Sequence, residues 1–263
     1  MNDLKRVLDA FKRRSRYHRD AALEARKDKN STLEDEEFNA AIAAINEAIE
    51  SLQALGVPDP QSTERASEAE IVIANQMADC RGILGGIYRA QGRHSWSNAI
   101  AEYDKGYIYE SSTRFNILST YNRVNRLVLR ILKDPKLLSD PAPIVENIEG
   151  SFSQTMPELL SETDNEIERQ LRNGRTDRVW ALADLAMVRL LGNSPNVDVA
   201  LDDFDKSAGN DVFPYESMLK VIRELVAQKL PMQSNLISVG ERLRAKLPLS
   251  LQGKPLSLQS VTA

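Results

Sequence analysis

Two stretches of this chain alternate small and large residues at helical spacing, and that alternation limits the possible folds more than any other feature. Leu84, Gly85 and Tyr88 lie together; Gly92 follows as a turn residue; Ala99, Tyr103 and Gly106 come next. Steps of three and four residues put each set on one helical face. A glycine or alanine there lets a second backbone come close, and a tyrosine beside it fills the remaining groove. The pattern predicts two antiparallel helices in tight contact. A second copy lies downstream in "VWALADLAMVRLLGN" and "VALDDFDKSAG": Trp180, Leu185 and Gly192, then Ala200, Phe204 and Ser207.

The rest of the sequence agrees with a wholly helical chain. Apolar residues at helical period predict helices over about 3–28, 33–55, 64–90, 95–110, 114–133, 142–172, 177–192, 197–208, 214–229 and 233–246. Ser31 or Thr32 is the expected cap of the second helix, with Glu34 and Asp35 in its first turn. "GVPDPQS" ends that helix. No sustained two-residue alternation and no Asn-Gly or Asp-Gly hairpin signal is present. Short loops imply antiparallel neighbours. The expected architecture is all-α, a divergent helical-hairpin solenoid forming one domain over 1–247. Residues 1–57 make an N-terminal hairpin cap and 62–247 the array. The end of the chain, 248–263, repeats PLSLQ around Gly253-Lys254 and reads as a flexible tail, with a docking peptide or cleavage segment as its functional alternative.

Both copies fit the tetratricopeptide spacing with lengthened turns. The turn from Gly92 to Ala99 is two residues too long and carries His94 and Trp96. The turn of the second copy is longer by about three. Beyond the general repeat, "DCRGILGGIYRAQGR…AIAEYDKGYIYE…TYNRVNRLVLRIL" with "VWALADLAMVRLLGN…ALDDF" resembles the TRAFs-binding, tetratricopeptide-like region of apoptosis signal-regulating kinases and related stand-alone bacterial proteins. The matching residues are Gly85, Ile87, Tyr88, Ala99, Tyr103, Gly106, Asn122, Asn125, Trp180, Ala183 and Gly192, within about 64–210. The resemblance implies a helical scaffold or regulatory subunit that binds a partner protein or peptide on a concave repeat surface, without kinase activity. It also implies a place beside a bacterial signalling or defence effector.

Charge and composition exclude several other classes. A net charge of −4 and a pI of about 5.5 argue against general nucleic-acid binding. The charge is unevenly placed: residues 1–29 hold ten Lys/Arg against five acids, and residues 33–70 hold ten acids against one Arg. Adjacent segments of opposite sign predict two helices facing each other; a basic arm for RNA or lipid is the rival reading. No run approaches membrane-spanning length, and the charged N-terminus lacks the apolar core of a signal peptide. A cytoplasmic location is the expectation. One cysteine, Cys80, excludes a disulfide framework and a cysteine-rich zinc site.

Catalytic constellations are weak. "YHRD" at 17–20 lies inside an amphipathic helix, without the asparagine, phosphate loop or DFG that a kinase needs. "GILGG" at 82–86 follows no strand, so it is no dinucleotide fingerprint. Cys80 with His94 could form a nucleophile and base, but Cys80 sits on a core stripe. His18 falls on the stripe of the first helix and reads as a hydrogen-bonded core-edge histidine. With two histidines and no His-x-x-x-His spacing, a metal site has no ligand set. The expectation is a non-enzyme without cofactor.

The recognition candidates cluster over 103–130, together with His94 and Trp96. Tyr103, Tyr107, Tyr109 and Glu110 crowd the end of one helix; Asn122, Arg123, Asn125, Arg126 and Arg130 line the next. Arginine forks suit carboxylate or phosphate and tyrosines give rigid contact area. These residues could form a groove for an acidic peptide, or for a nucleotide or other anionic small molecule, which makes a sensor the alternative function. Pairing of Arg126 or Arg130 with acids of a neighbouring helix is the structural reading.

Overall fold

The computed structural model describes residues 2–139, 144–146 and 152–256. Eleven α-helices lie among the described residues: α1 Asn2–Lys27, α2 Ser31–Ala54, α3 Glu68–Gln91, α4 Trp96–Ser111, α5 Tyr121–Lys133, α6 Met156–Arg172, α7 Arg178–Leu191, α8 Val197–Ala208, α9 Val212–Val226, α10 Gln233–Ala245 and the short α11 Leu249–Gln252. The described residues are all-α apart from a ribbon of two three-residue strands, β1 Ile144–Glu146 and β2 Phe152–Gln154, paired antiparallel. No described helix is long and apolar enough to cross a membrane.

The described residues fall into two compact units, one up to Arg126 and one from Leu127 on, with the boundary inside α5. In the first unit, consecutive helices pair as α1 with α2, α2 with α3 and α3 with α4. Leu8 and Ala22 of α1, Phe38, Ala41, Ile45, Ala48 and Leu52 of α2, and Met77, Cys80, Leu84 and Ile87 of α3 form its core. The alanines keep α1 and α2 close. The opposite charges of these two helices meet as expected: Arg26 Nη2 donates to Glu34 at 2.6 Å, His18 Nδ1 lies 2.6 Å from Glu37, and Arg14 pairs with Glu47. His18 is therefore the hydrogen-bonded core-edge residue that its stripe suggested. Lys12, nearly buried, crosses to α3, where its Nζ donates to Gln76 at 2.6 Å and Asp79 at 2.5 Å. The cap of α2 is Asn30 rather than Ser31 or Thr32; its side chain accepts from the Leu33 N–H.

α3, expected from about 64, starts at Glu68 behind a capping box. Ser67 Oγ accepts from the Glu70 N–H, and Glu70 Oε2 accepts from the Ser67 N–H at 2.8 Å. Arg114 Nη2 adds a 2.5 Å bond to Glu70 Oε1, while its other nitrogens donate to Glu64 O and Asp59 O, pinning the loop between α2 and α3. Together, the Ser67 backbone bond first and then Arg114 and the Ser67 hydroxyl, these hold the Glu70 carboxyl down at about 2. A depressed carboxyl contributes stability above its ordinary value near 4.5 and loses it as pH falls through about 2. In acid titrations followed by helical circular dichroism, Glu70→Gln should flatten the loss of structure within that window. Superimposable curves for the two proteins would sink the assignment.

The second unit pairs α6 with α7, α7 with α8, and α9 with α10. Its central helix, α7, is buried at every position from Ala181 to Leu191 except Asp184. Arg189 of α7 reaches back to α6, where Nε donates to Asp164 at 3.0 Å and Nη2 donates to Glu168. Phe204 of α8 and Tyr215 of α9 meet edge to face at 5.2 Å in the core.

Two stretches of the second unit depart from the sequence reading. The helix expected over 142–172 begins at Met156, because Thr155 and Glu158 form a second capping box and Pro157 fits a first turn. The preceding residues hold the small ribbon where they are described, and the rest of that span lies outside the described residues. The tail expected to be flexible from 248 is folded over its described part: α11 and the residues to Leu256 lie against α9 and α10. Residues 257–263 lie outside the described part.

Candidate functional site

The small–large alternation packs α3 on α4 much as predicted. The Tyr103 ring covers Gly85 so closely that a Cβ there would lie 2.8 Å from it. Ala99 is fully buried beside this contact on α4. Tyr88 is partly buried and packs on the core that α1, α2 and α3 share. Gly92 adopts a φ of +114°, which favours glycine, and ends α3. The lengthened turn contains a three-residue 3-10 turn, Arg93–Ser95, that leads straight into α4. Within it His94 is exposed. Trp96 is largely buried, with the Arg93 guanidinium 5.3 Å from its ring.

Most of the expected Arg–Tyr–Asn groove is a joint between α4 and α5. Glu110, near the C-terminal end of α4, caps the start of α5. Its Oε1 accepts from the Asn122 N–H at 3.1 Å, the Asn122 side chain at 2.9 Å and the Ser119 hydroxyl at 2.8 Å; its Oε2 accepts from the Arg123 N–H at 3.1 Å. These amides are the first-turn donors that no residue inside α5 can satisfy. Burial pushes the Glu110 carboxyl up from its ordinary value, against the pull of those bonds. The cap also explains why α5 begins at Tyr121 instead of near 114. Residues 113–120 run non-helically with Asn116 at φ +47°, and they bury Phe115 and Ile117 against Ala74 and Ala78 of α3.

Asn122 is buried too. Its amide donates to Ala78 O at 3.0 Å, and it lies where a Cβ on Gly106 would approach within 2.5 Å. Arg126 is 0% exposed, with its guanidinium carbon 3.7 Å from the Tyr107 ring centre and Nη1 3.6 Å from Asp104. Arg123 flanks the same ring at 5.4 Å. Asn125 accepts from Arg89 at 3.0 Å and donates to Tyr121 O at 2.8 Å. Tyr103 is buried against Gly85, and Tyr109 packs on Phe115. Arg130 is half-buried in the part of α5 that belongs to the second unit. The structure thus brings Tyr107, Glu110, Asn122, Arg123 and Arg126 together, but engages them with one another and with neighbouring helices.

Cys80 is fully buried, and that burial pushes its thiol up to about 12, opposite to the direction that activates a nucleophile. No group of three metal-binding side chains occurs among the described residues.

What the sequence reading missed lies in the second unit. Trp180 at the start of α7 and Phe213 at the start of α9 meet edge to face at 5.7 Å, yet they remain 38% and 63% exposed. The reading took Trp180 as a packing residue and gave Phe213 no role. A phenylalanine two residues after an Asp cap, beyond the core stripe of Tyr215, Met218 and Ile222, was the available signal.

Comparison with family models, with curated proteins and with solved structures gives no match.

Proposed function

We propose that this chain is a non-catalytic interaction module of tetratricopeptide-like helical hairpins that holds a partner protein or peptide as a scaffold or regulatory subunit. The observation that carries this reading is the exposed Trp180–Phe213 pair. Trp is a favoured anchor of protein interfaces, and two aromatic rings already braced edge to face lose little freedom on binding. The neighbouring Phe204–Tyr215 pair shows the same geometry fully buried, so core packing accounts for one pair and leaves the other open to a partner. The inward engagement of Glu110, Asn122 and Arg126 favours a protein partner over an anionic small molecule in that groove. The resemblance to TRAFs-binding regions points to the same class of function and rests on the quoted residues.

The test is a native pull-down read by mass spectrometry, followed by titration of the purified partner. A Trp180→Ala/Phe213→Ala chain should keep its melting temperature within a few degrees and lose the partner by at least tenfold, a difference of about 1.4 kcal/mol. Equal affinity for wild type and the double variant would remove this surface from the proposal.

A further inference from the structure

Residues 252–256 lie on α9 and α10 as a bound peptide lies on a receptor. Arg223 of α9 donates through Nη2 to Gln252 O and, at 3.3 Å, to Lys254 O. Glu241 of α10 accepts the Leu256 N–H at 2.6 Å. Gly240 leaves a socket for the Leu256 side chain: a Cβ there would come within 2.7 Å of Leu256 Cδ2 and 3.1 Å of Ile222 Cγ2. Leu256 is 8% exposed in that socket. One charged side chain from each helix thus grips main-chain groups, and one small-residue gap takes one leucine. Main-chain contacts supply affinity for any extended segment, and the socket supplies the choice of anchor.

The sequence also carries this ligand twice. In the first PLSLQ, Leu249 is 87% exposed and Leu251 41% exposed on α11; in the second, Leu256 fills the socket. The first copy shows that the leucines of the same pentapeptide can stand in solvent, so the motif is not bound to a buried position by its composition. In the described part of the second copy, Leu256 sits in the socket and its N–H donates to Glu241.

We propose that the α9–α10 face is a peptide site for an extended segment with a Pro-Leu anchor, and that the chain's own Lys254–Leu256 fills it until a partner segment takes its place. This rests on the interaction-module reading but uses a site separate from Trp180 and Phe213, so the two can fail independently. A tethered occupant competes with any added peptide and weakens its apparent affinity by the fraction of sites left open.

The probe is a fluorescein-labelled peptide of the sequence Gln252–Gln259, titrated by anisotropy into full-length chains. Leu256→Asp should open the socket and bind the peptide saturably, with wild type at least about tenfold weaker. Leu256→Asp/Gly240→Leu should lose binding, and a peptide with alanine in place of the anchoring leucine should not bind. A Leu256→Asp chain that melts like wild type and binds no peptide overturns the proposal. So does light scattering that shows Leu256→Asp dissociating a wild-type dimer, since a second copy would then be the occupant. If Leu256→Asp fails to fold, hydrogen exchange of wild type decides. The Leu256 amide should exchange well before the core amides of α9 and α10, and exchange only through global unfolding overturns the proposal.

Discussion

A Gly85→Leu chain should melt far below wild type, while Gly86→Ala should melt at or above it. At Gly85 the first added carbon already lies 2.8 Å from the Tyr103 ring, and three further carbons would have to enter the same space. Tyr103 is itself buried, so it has no open rotamer into which to retreat. Overpacking of this kind costs roughly 3 kcal/mol or more, because the α3–α4 pair must part to relieve it. At Gly86 a Cβ would meet only Tyr hydroxyls at 3.5 and 3.7 Å, which is ordinary contact. Alanine there also gains about 0.8–1 kcal/mol of helix propensity. Calorimetry on the two variants isolates the close approach from any general effect of losing a helical glycine. Equal melting temperatures would show that α3 and α4 do not meet at Gly85.

Glu110→Ala should be the second large loss. The substitution strands the Asn122 and Arg123 amides, the Asn122 side chain and the Ser119 hydroxyl in or near the interior. Removing one member of a buried charged network costs about 3–5 kcal/mol. For a chain of this size that corresponds to a fall in melting temperature on the order of 10 °C. Glu110→Gln should fall less, because one amide oxygen can still accept from part of the set while the amide nitrogen cannot. A Glu110→Ala chain with unchanged melting temperature and unchanged amide protection at Asn122 and Arg123 would contradict the capping geometry.

The helices were legible because their signals are local. Apolar residues at helical period mark α1 to α10, and the opposite charges of 1–29 and 33–70 foretold the α1–α2 pairing through Arg14, His18 and Arg26. Gly85 against Tyr103 was readable for the same reason, since one helix requires a gap and the next supplies a ring of the right size. The start of α5 was not readable, because its cap comes from Glu110 on another helix. Nor was the burial of Arg126, which depends on Tyr107 and Asp104 closing over it. Arginine forks and tyrosines that look like a ligand groove in one dimension can equally be a joint in three. The docking of Leu256 on Gly240 joins a segment that reads as a flexible tail to a glycine inside a predicted helix, and neither local pattern announces the other. Its partners Arg223 and Glu241 carry no motif.

The Glu110 cap also bears on how such a chain can be rearranged over time. A recombination breakpoint between Ser111 and Ser119 would leave one fragment with a carboxylate shaped for absent amides and the other with a helix start lacking its acceptor. Neither fragment could be joined to an unrelated neighbour without that mismatch. Glu110 and the start of α5 at Asn122 and Arg123 are therefore expected to be exchanged together.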